Sequence, residues 1–282
     1  MRIAAAVAVV AAGFTGGSAV GRSVGPLEPP TRRAAPRDLH VPATPTPVEH
    51  TSSGLLATEA GYTLVPGGTT LTGAPGEVLT FRIVGRDGAP LIRYVTEHER
   101  DLHFVLVSRN LLVYNHLHPT LGPEGAWSVA LPALPPAQYH GYANFVPAGA
   151  HATVTLGVEL LVPGVFTAIP LPETGPVVEV DGYTVRLESA GSVLTFVVEQ
   201  DGRPVGDLDP YLGATGHLVA VRASDLRYSH AHPVGGADNR GPKVPFHLEL
   251  ATPGDYRLFL DFSHHAVVHT AAFTFHVPWD RR

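Results

Sequence analysis

Short runs of apolar residues, some of them alternating with polar positions, are separated along this chain by Gly, Pro and Asp. Val78 to Val84 and Val193 to Glu199 are rich in β-branched and aromatic residues. They are followed by Asp87-Gly88 and Asp201-Gly202, a two-residue hairpin signal. Leu102 to Ser108 and His217 to Arg222 are nearly unbroken apolar runs of strand length. Further strands are predicted over Trp127 to Leu131 and Phe246 to Leu250, then over Tyr139 to Phe145 and Tyr256 to Phe262. Ala152 to Leu161 and Thr270 to Val277 close the two series. No stretch sustains a helical apolar period. About seven short strands per half, with turns roughly every 8–12 residues, is the pattern of a β-sandwich.

The two halves repeat one another. Gly61-Tyr62-Thr63-Leu64 returns as Gly182-Tyr183-Thr184-Val185, and Val78-Leu79-Thr80-Phe81 as Val193-Leu194-Thr195-Phe196. From Asp87 onward the offset is constant, pairing Asp87 with Asp201, His103 with His217, His116 with His230 and Pro119 with Pro233. After an insertion around Gly236 to Lys243, Tyr139 matches Tyr256 and Phe145 matches Phe262. A register held over that length marks a duplication. The sequence therefore predicts an all-β fold of two tandem immunoglobulin- or cupredoxin-like β-sandwich domains, over residues 58–165 and 177–280. The Pro and Gly cluster between Pro163 and Pro176 divides them.

The N-terminal part reads differently. Arg2 precedes an apolar run from Ile3 to Phe14, followed by the small residues Gly16, Gly17, Ser18 and Ala19. Residues 1–20 read either as a secretory signal peptide cut after Ala19 or as a retained N-terminal anchor. Residues 21–57 are rich in Pro, Ala, Thr and Arg and lack an apolar period, as expected of an extended, disordered linker. Both readings put the sandwiches outside the cytoplasm, secreted or tethered to the membrane.

The 282-residue chain is 44% apolar, enough for two cores. Its net charge of −6 and its lack of a basic run argue against a nucleic-acid partner. There is no Cys and a single Met, at position 1. Disulfides, thiolate metal sites and thiol catalysis are excluded on that ground. Against this background the 16 His residues stand out.

The candidate chemistry lies in Tyr114-Asn115-His116-Leu117-His118-Pro119 and in Tyr228-Ser229-His230-Ala231-His232-Pro233. Residues two apart on a strand share a face, so each His-x-His pair can converge on one ion. His103 and His217 open the apolar strand that precedes each pair, and His151 and His269 follow Phe145 and Phe262. The predicted metal ligands are therefore His103, His116, His118 and His151 in one copy, and His217, His230, His232 and His269 in the other. Three or four neutral imidazoles suit Cu(II) or Zn(II), whereas a Cu(I) site built on sulfur has no ligands here. The same residues also admit a structural reading. A His-x-His-Pro turn can hydrogen-bond a loop backbone, and His103 and His217 share the strand parity of Val105, Val107, Val219 and Val221.

The segment Leu102-His103-Phe104-Val105-Leu106-Val107-Ser108, running on to Tyr114-Asn115-His116-Leu117-His118-Pro119, resembles a signature of certain bacterial proteins. These are uncharacterised secreted or membrane-tethered proteins with repeated β-sandwich modules. Tyr256 to Phe262 resembles their Tyr-x-x-x-x-Asp-Phe segment, and the first copy departs from it with Asn144 in place of the Asp261 of the second. The resemblance spans Gly61 to Val277. It implies association with heavy-metal or copper handling. The expected partners of the chain are a metal ion and another cell-surface or metal-handling protein.

No Gly-x-Ser-x-Gly elbow, phosphate-binding Gly-rich loop, dinucleotide fingerprint or His-Glu-x-x-His helix occurs in the sequence. A non-enzymatic role is expected, as a His-based metal buffer or delivery protein. The alternative is a cell-surface structural or protein-interaction module whose His residues are satisfied locally.

Overall fold

The structure, a computed structural model, describes residues 53–150, 152–236, 238–250 and 252–279. Among these the fold is all-β, with every named strand pair antiparallel and one 3₁₀ turn at Pro123–Gly125. The first copy has an outer sheet in the order Thr58–Glu59, Tyr62–Pro66, Val78–Val84, Ala126–Ala130, Thr120–Leu121. Its inner sheet runs Val154–Val162, Ala137–Pro147, His103–Ser108, Tyr114–Leu117, with Tyr94–Val95 joining the long Ala137–Pro147 strand. The second copy repeats this. Its outer sheet is Val177–Val180, Tyr183–Ala190, Val193–Gln200, Lys243–His247, His232–Pro233, and its inner sheet is Tyr228–His230, Gly216–Arg222, Gly254–His264, Val267–Val277.

Each sandwich has its own core. Phe81, Phe104, Leu106, Trp127 and Leu156 are buried in the first, and Phe196, Leu218, Leu260, Phe262 and Phe273 in the second. Val78–Val84 alternates between buried and exposed positions, as an outer strand with one wet face should. Tyr139 and Tyr256 behave as corner tyrosines. Their hydroxyls donate back to the carbonyls of Pro135 at 2.7 Å and Thr252 at 2.8 Å. The two hairpin signals differ in use. Asp201 and Gly202 both take positive φ, as a type I′ turn requires, whereas in the first copy only Gly88 does and the turn spans Gly85 to Gly88.

The strand His103–Ser108 is buried at every position. Phe104 and Leu106 fill the core of the first sandwich, while Val105 and Val107 belong to a third apolar cluster with Val219, Val221, Leu226, Tyr228, Phe259, Leu111 and Tyr142. The inner sheets of the two sandwiches thus pack face to face. This explains the unbroken apolar runs: both faces of these strands are covered. The contact is reciprocal. Tyr114 stacks on Phe259 with ring centroids 4.1 Å apart, and the equivalent pair, Tyr228 and Tyr142, lies at 5.3 Å. Such pairing of equivalent surfaces is the geometry of an isologous interface, here within one chain. Each large apolar side chain buried in this seam contributes about 1.5–3 kcal/mol.

Residues 53–57 close the stretch read from the sequence as linker, and they are fixed against both sandwiches. The amide of Gly157 donates to Leu56 O at 2.8 Å, His140 Nε2 to Gly54 O at 2.7 Å, and the amide of Tyr228 to Ser53 O at 2.9 Å. The remaining linker residues, 21–52, and the predicted signal or anchor at 1–20 lie outside the described residues.

Candidate metal centre

Strand parity places the imidazoles. His103 has the parity of Val105 and Val107, which face the second sandwich. Tyr114 lies opposite Val107 and His116 opposite Val105, so both point into the seam. His217 has the parity of Val219 and Val221 and lies opposite Asp261. The face that carries the candidate ligands is therefore the face through which the sandwiches dock.

One nitrogen each of His103, His116 and His118 lie within 4.8 Å of one another, as do ligand atoms of His116, His217 and Asp261. His103 Nε2 faces the carbonyl of Glu97 at 3.1 Å, and a carbonyl only accepts, so this nitrogen carries the proton. His116 Nδ1 lies 3.0 Å from Asp261 Oδ2. That carboxylate also accepts from the hydroxyls of Tyr114 at 2.8 Å and Thr270 at 2.6 Å. The remaining nitrogens, His103 Nδ1 and His116 Nε2, then face one another at 3.1 Å with both lone pairs bare. His118 Nε2 is buried and makes no hydrogen bond.

Burial dominates the electrostatics. It pushes His103 down to about 4 despite the Glu97 hydrogen bond, and His118 down to about 4. His116 falls well below the usual imidazole range for the same reason, helped by the neighbouring imidazoles. Burial raises Asp261 to about 6, partly offset by the Thr270 and Tyr114 hydroxyls. At neutral pH the cluster holds uncharged imidazoles beside one carboxylate. No proton is available to bridge the facing nitrogens, so the arrangement suits a cation. Tetrahedral Zn(II) with nitrogens at 2.0–2.1 Å sets ligand nitrogens about 3.3 Å apart, close to the separation here.

The predicted ligands do not fall into one set per copy. His103, His116, His118 and His217 come together across the seam. His230 lies opposite Val219, the position equivalent to His116 opposite Val105. His232 leaves the seam. In the first copy the chain crosses to the outer sheet after His118 and pairs Thr120 with Ser128, whereas in the second His232 already pairs with His247 and Pro233 with Phe246. This crossing comes two residues earlier and leaves His232 exposed. His269 lies opposite Phe262, so it faces its own core, where its Nδ1 meets Asp181 at 2.9 Å. Its neighbour Thr270 takes the seam-facing position opposite Asp261. His151 lies outside the described residues.

Two residues beside the cluster were not assigned to it from the sequence. Asp261 was visible there only as a difference from Asn144, although a lone acid within Leu258-Phe259-Leu260-Asp261-Phe262 is itself a signal. His98 occupies a positive-φ turn with Glu99, and its ring lies 6.2 Å from His103 and 6.1 Å from His217. The equivalent turn of the second copy carries Leu212 and Gly213, so no repeat pointed to it.

These features define an all-β protein of two tandem sandwiches with an imidazole cluster in the seam between them. A family described as a domain of unknown function (DUF8832) matches residues 178–279, the second sandwich. No curated protein matches the chain. Among solved structures, the Escherichia coli adhesin FdeC is 13% identical with a TM-score of 0.23, the match covering 77% of this chain and 64% of the adhesin. Fibronectin(III)-like modules of Clostridium thermocellum CbhA are 9% identical with a TM-score of 0.20, covering 76% of this chain and 94% of the modules. The FN1–FN3 domains of chicken CNTN1 are 11% identical with a TM-score of 0.21, covering 76% and 65%. The chain thus spans about two thirds of the adhesin's length. The fold assignment rests on the chain's own strand ladders.

Proposed function

We propose that this chain is an extracytoplasmic metal-binding protein that holds one Cu(II) or Zn(II) ion on His103, His116 and His118, in a buffering or delivery role. One observation carries the reading. His103 Nδ1 and His116 Nε2 present bare lone pairs to each other at 3.1 Å, while their opposite nitrogens are engaged by a carbonyl and a carboxylate. Such outer partners fix the tautomer and aim of a metal-bound imidazole. Without a cation the two lone pairs repel. The absence of Cys and of internal Met favours the borderline divalent ions over Cu(I).

The role is binding rather than catalysis, since the ion would sit among side chains buried in the seam. The signal or anchor reading of residues 1–20 supports an extracytoplasmic site. Metal analysis of the untagged full chain tests the proposal, beside a His103→Ala/His116→Ala/His118→Ala variant. About one Cu(II) or Zn(II) per wild-type chain, lost in the variant, is expected. A metal-free wild type whose melting temperature ignores both ions would leave a surface interaction module as the remaining reading.

A further inference from the structure

We propose that His217 supplies a fourth ligand to the cation held by His103, His116 and His118, so that the bound metal clasps the two sandwiches together. The inference rests on the metal-binding reading above and adds to it the source of the fourth ligand. Three imidazoles leave one position of a tetrahedral ion open. The His217 ring packs against the cluster from across the seam, its centroid 4.4 Å from that of His116 and stacked at 5.6 Å on His103, and its ligand atom lies within 4.8 Å of those of His116 and Asp261. His217 belongs to the strand Gly216–Arg222, whose Leu218 and Ala220 are buried in the core of the second sandwich. It therefore moves only with that sandwich.

Asp261 strengthens the argument from the same side. It is the Cα partner of His217 on the neighbouring strand, yet it accepts from Tyr114 and His116 of the first sandwich. One sandwich thus provides three ligands, and the other provides the fourth together with the carboxylate that positions His116. The duplication has left the arrangement unequal. Asn144 stands where Asp261 would be in the first copy, and His232 has left the seam in the second. Among the described residues one clasp is therefore assembled, and it is complete only when the sandwiches are docked.

The test uses the full chain with Co(II) as a spectroscopic probe, Zn(II) in competition, and hydrogen exchange read by mass spectrometry with and without Zn(II). In the wild type, Co(II) bands of a four-nitrogen tetrahedral ion are expected. Zn(II) should slow exchange at least about tenfold in peptides from both sandwiches, including Gly216–Arg222 and Gly254–His264. His217→Ala should weaken Zn(II) binding about tenfold or more, shift the Co(II) bands toward solvent-completed coordination, and confine protection to the first sandwich. Wild-type binding that His217→Ala leaves unchanged, with protection confined to the first sandwich in both proteins, overturns the clasp and leaves the three-histidine site standing. No binding by the wild type ends both. If His217→Ala does not fold, the wild-type exchange map decides: protection reaching the second sandwich supports the clasp, and its absence there overturns it.

Discussion

His116 and Asp261, 145 residues apart in the chain, meet at 3.0 Å across the seam between the two sandwiches. Both side chains are almost wholly buried, 3% and 2% exposed. A buried carboxylate is costly unless its oxygens are engaged, and Asp261 has both engaged, one by Thr270 and the other by Tyr114 and His116. The pair thus settles two matters at once. It fixes His116 with Nε2 toward His103, and it ties the second sandwich to the chemistry of the first.

Replacing that carboxylate tests the first role. The equivalent position of the first copy is Asn144, whose amide donates to Thr155 Oγ1 at 2.8 Å, so this place in the fold accommodates asparagine. Asp261→Asn is expected to keep the circular dichroism of the wild type and to lower Zn(II) affinity about 10–100-fold. A competition titration against a chromophoric chelator measures the change. Unaltered affinity would show that Asp261 does not position the ligand.

Much of this was legible in the sequence, and the reason is periodicity. Strands and duplication followed from the repeated runs because β-structure writes its faces at every second residue. The same rule put His103 in phase with Val105, but nothing local said that this face meets a second sandwich instead of water. The unbroken run Phe104 to Val107 held that information, since only a strand covered on both faces needs it. The site's asymmetry was not legible. His232 is lost to the cluster by a crossing two residues early, which depends on how the outer sheet closes onto Lys243–His247. His269 is lost by a one-residue phase that places it opposite Phe262. Asp261 joins the site only through docking, a contact between residues 145 positions apart.

The seam should hold without metal, and Tyr142 measures its polar part. Its hydroxyl donates to Leu226 O at 2.6 Å, with both groups buried. Tyr142→Phe leaves that carbonyl unsatisfied and should cost about 1–3 kcal/mol in urea unfolding of the metal-free protein. A loss below a few tenths would mean that this bond does not bind the sandwiches together.

Acid should weaken the metal-free protein over a definite window. Burial holds His103 and His118 at about 4 and His116 lower, while in the unfolded chain imidazoles protonate near about 6.5. As pH falls the unfolded state takes up protons first. The stability these groups contribute is present above about 6.5 and is lost as pH drops toward 4. Asp261 works in the opposite sense. Raised to about 6, its contribution is full below about 3.9 and lost as pH rises through 6. Three imidazoles outweigh one carboxyl, so the melting temperature should decline steadily from pH 7 to 4.5. His118→Gln should flatten the decline, and a wild-type profile already flat over this range would refute the assignment.

The strap of residues 53–56 provides the last test, because one glycine makes room for it. A Cβ on Gly157 would stand 2.2 Å from the carbonyl oxygen of Gly54 and 2.8 Å from His140 Nε2. The first of these atoms is backbone and cannot swing aside. Gly157→Ala must therefore lift the strap, breaking the His140 bond to Gly54 and weakening the bond from the Tyr228 amide to Ser53 on the second sandwich. A loss of about 1–3 kcal/mol is expected, together with faster hydrogen exchange at the Tyr228 amide. Gly206→Ala is the control: its Cβ meets nothing within 4 Å, and the change should stay within about 0.5 kcal/mol. Equal stability of the two variants, with exchange at Tyr228 unchanged, would mean that the strap does not join the sandwiches.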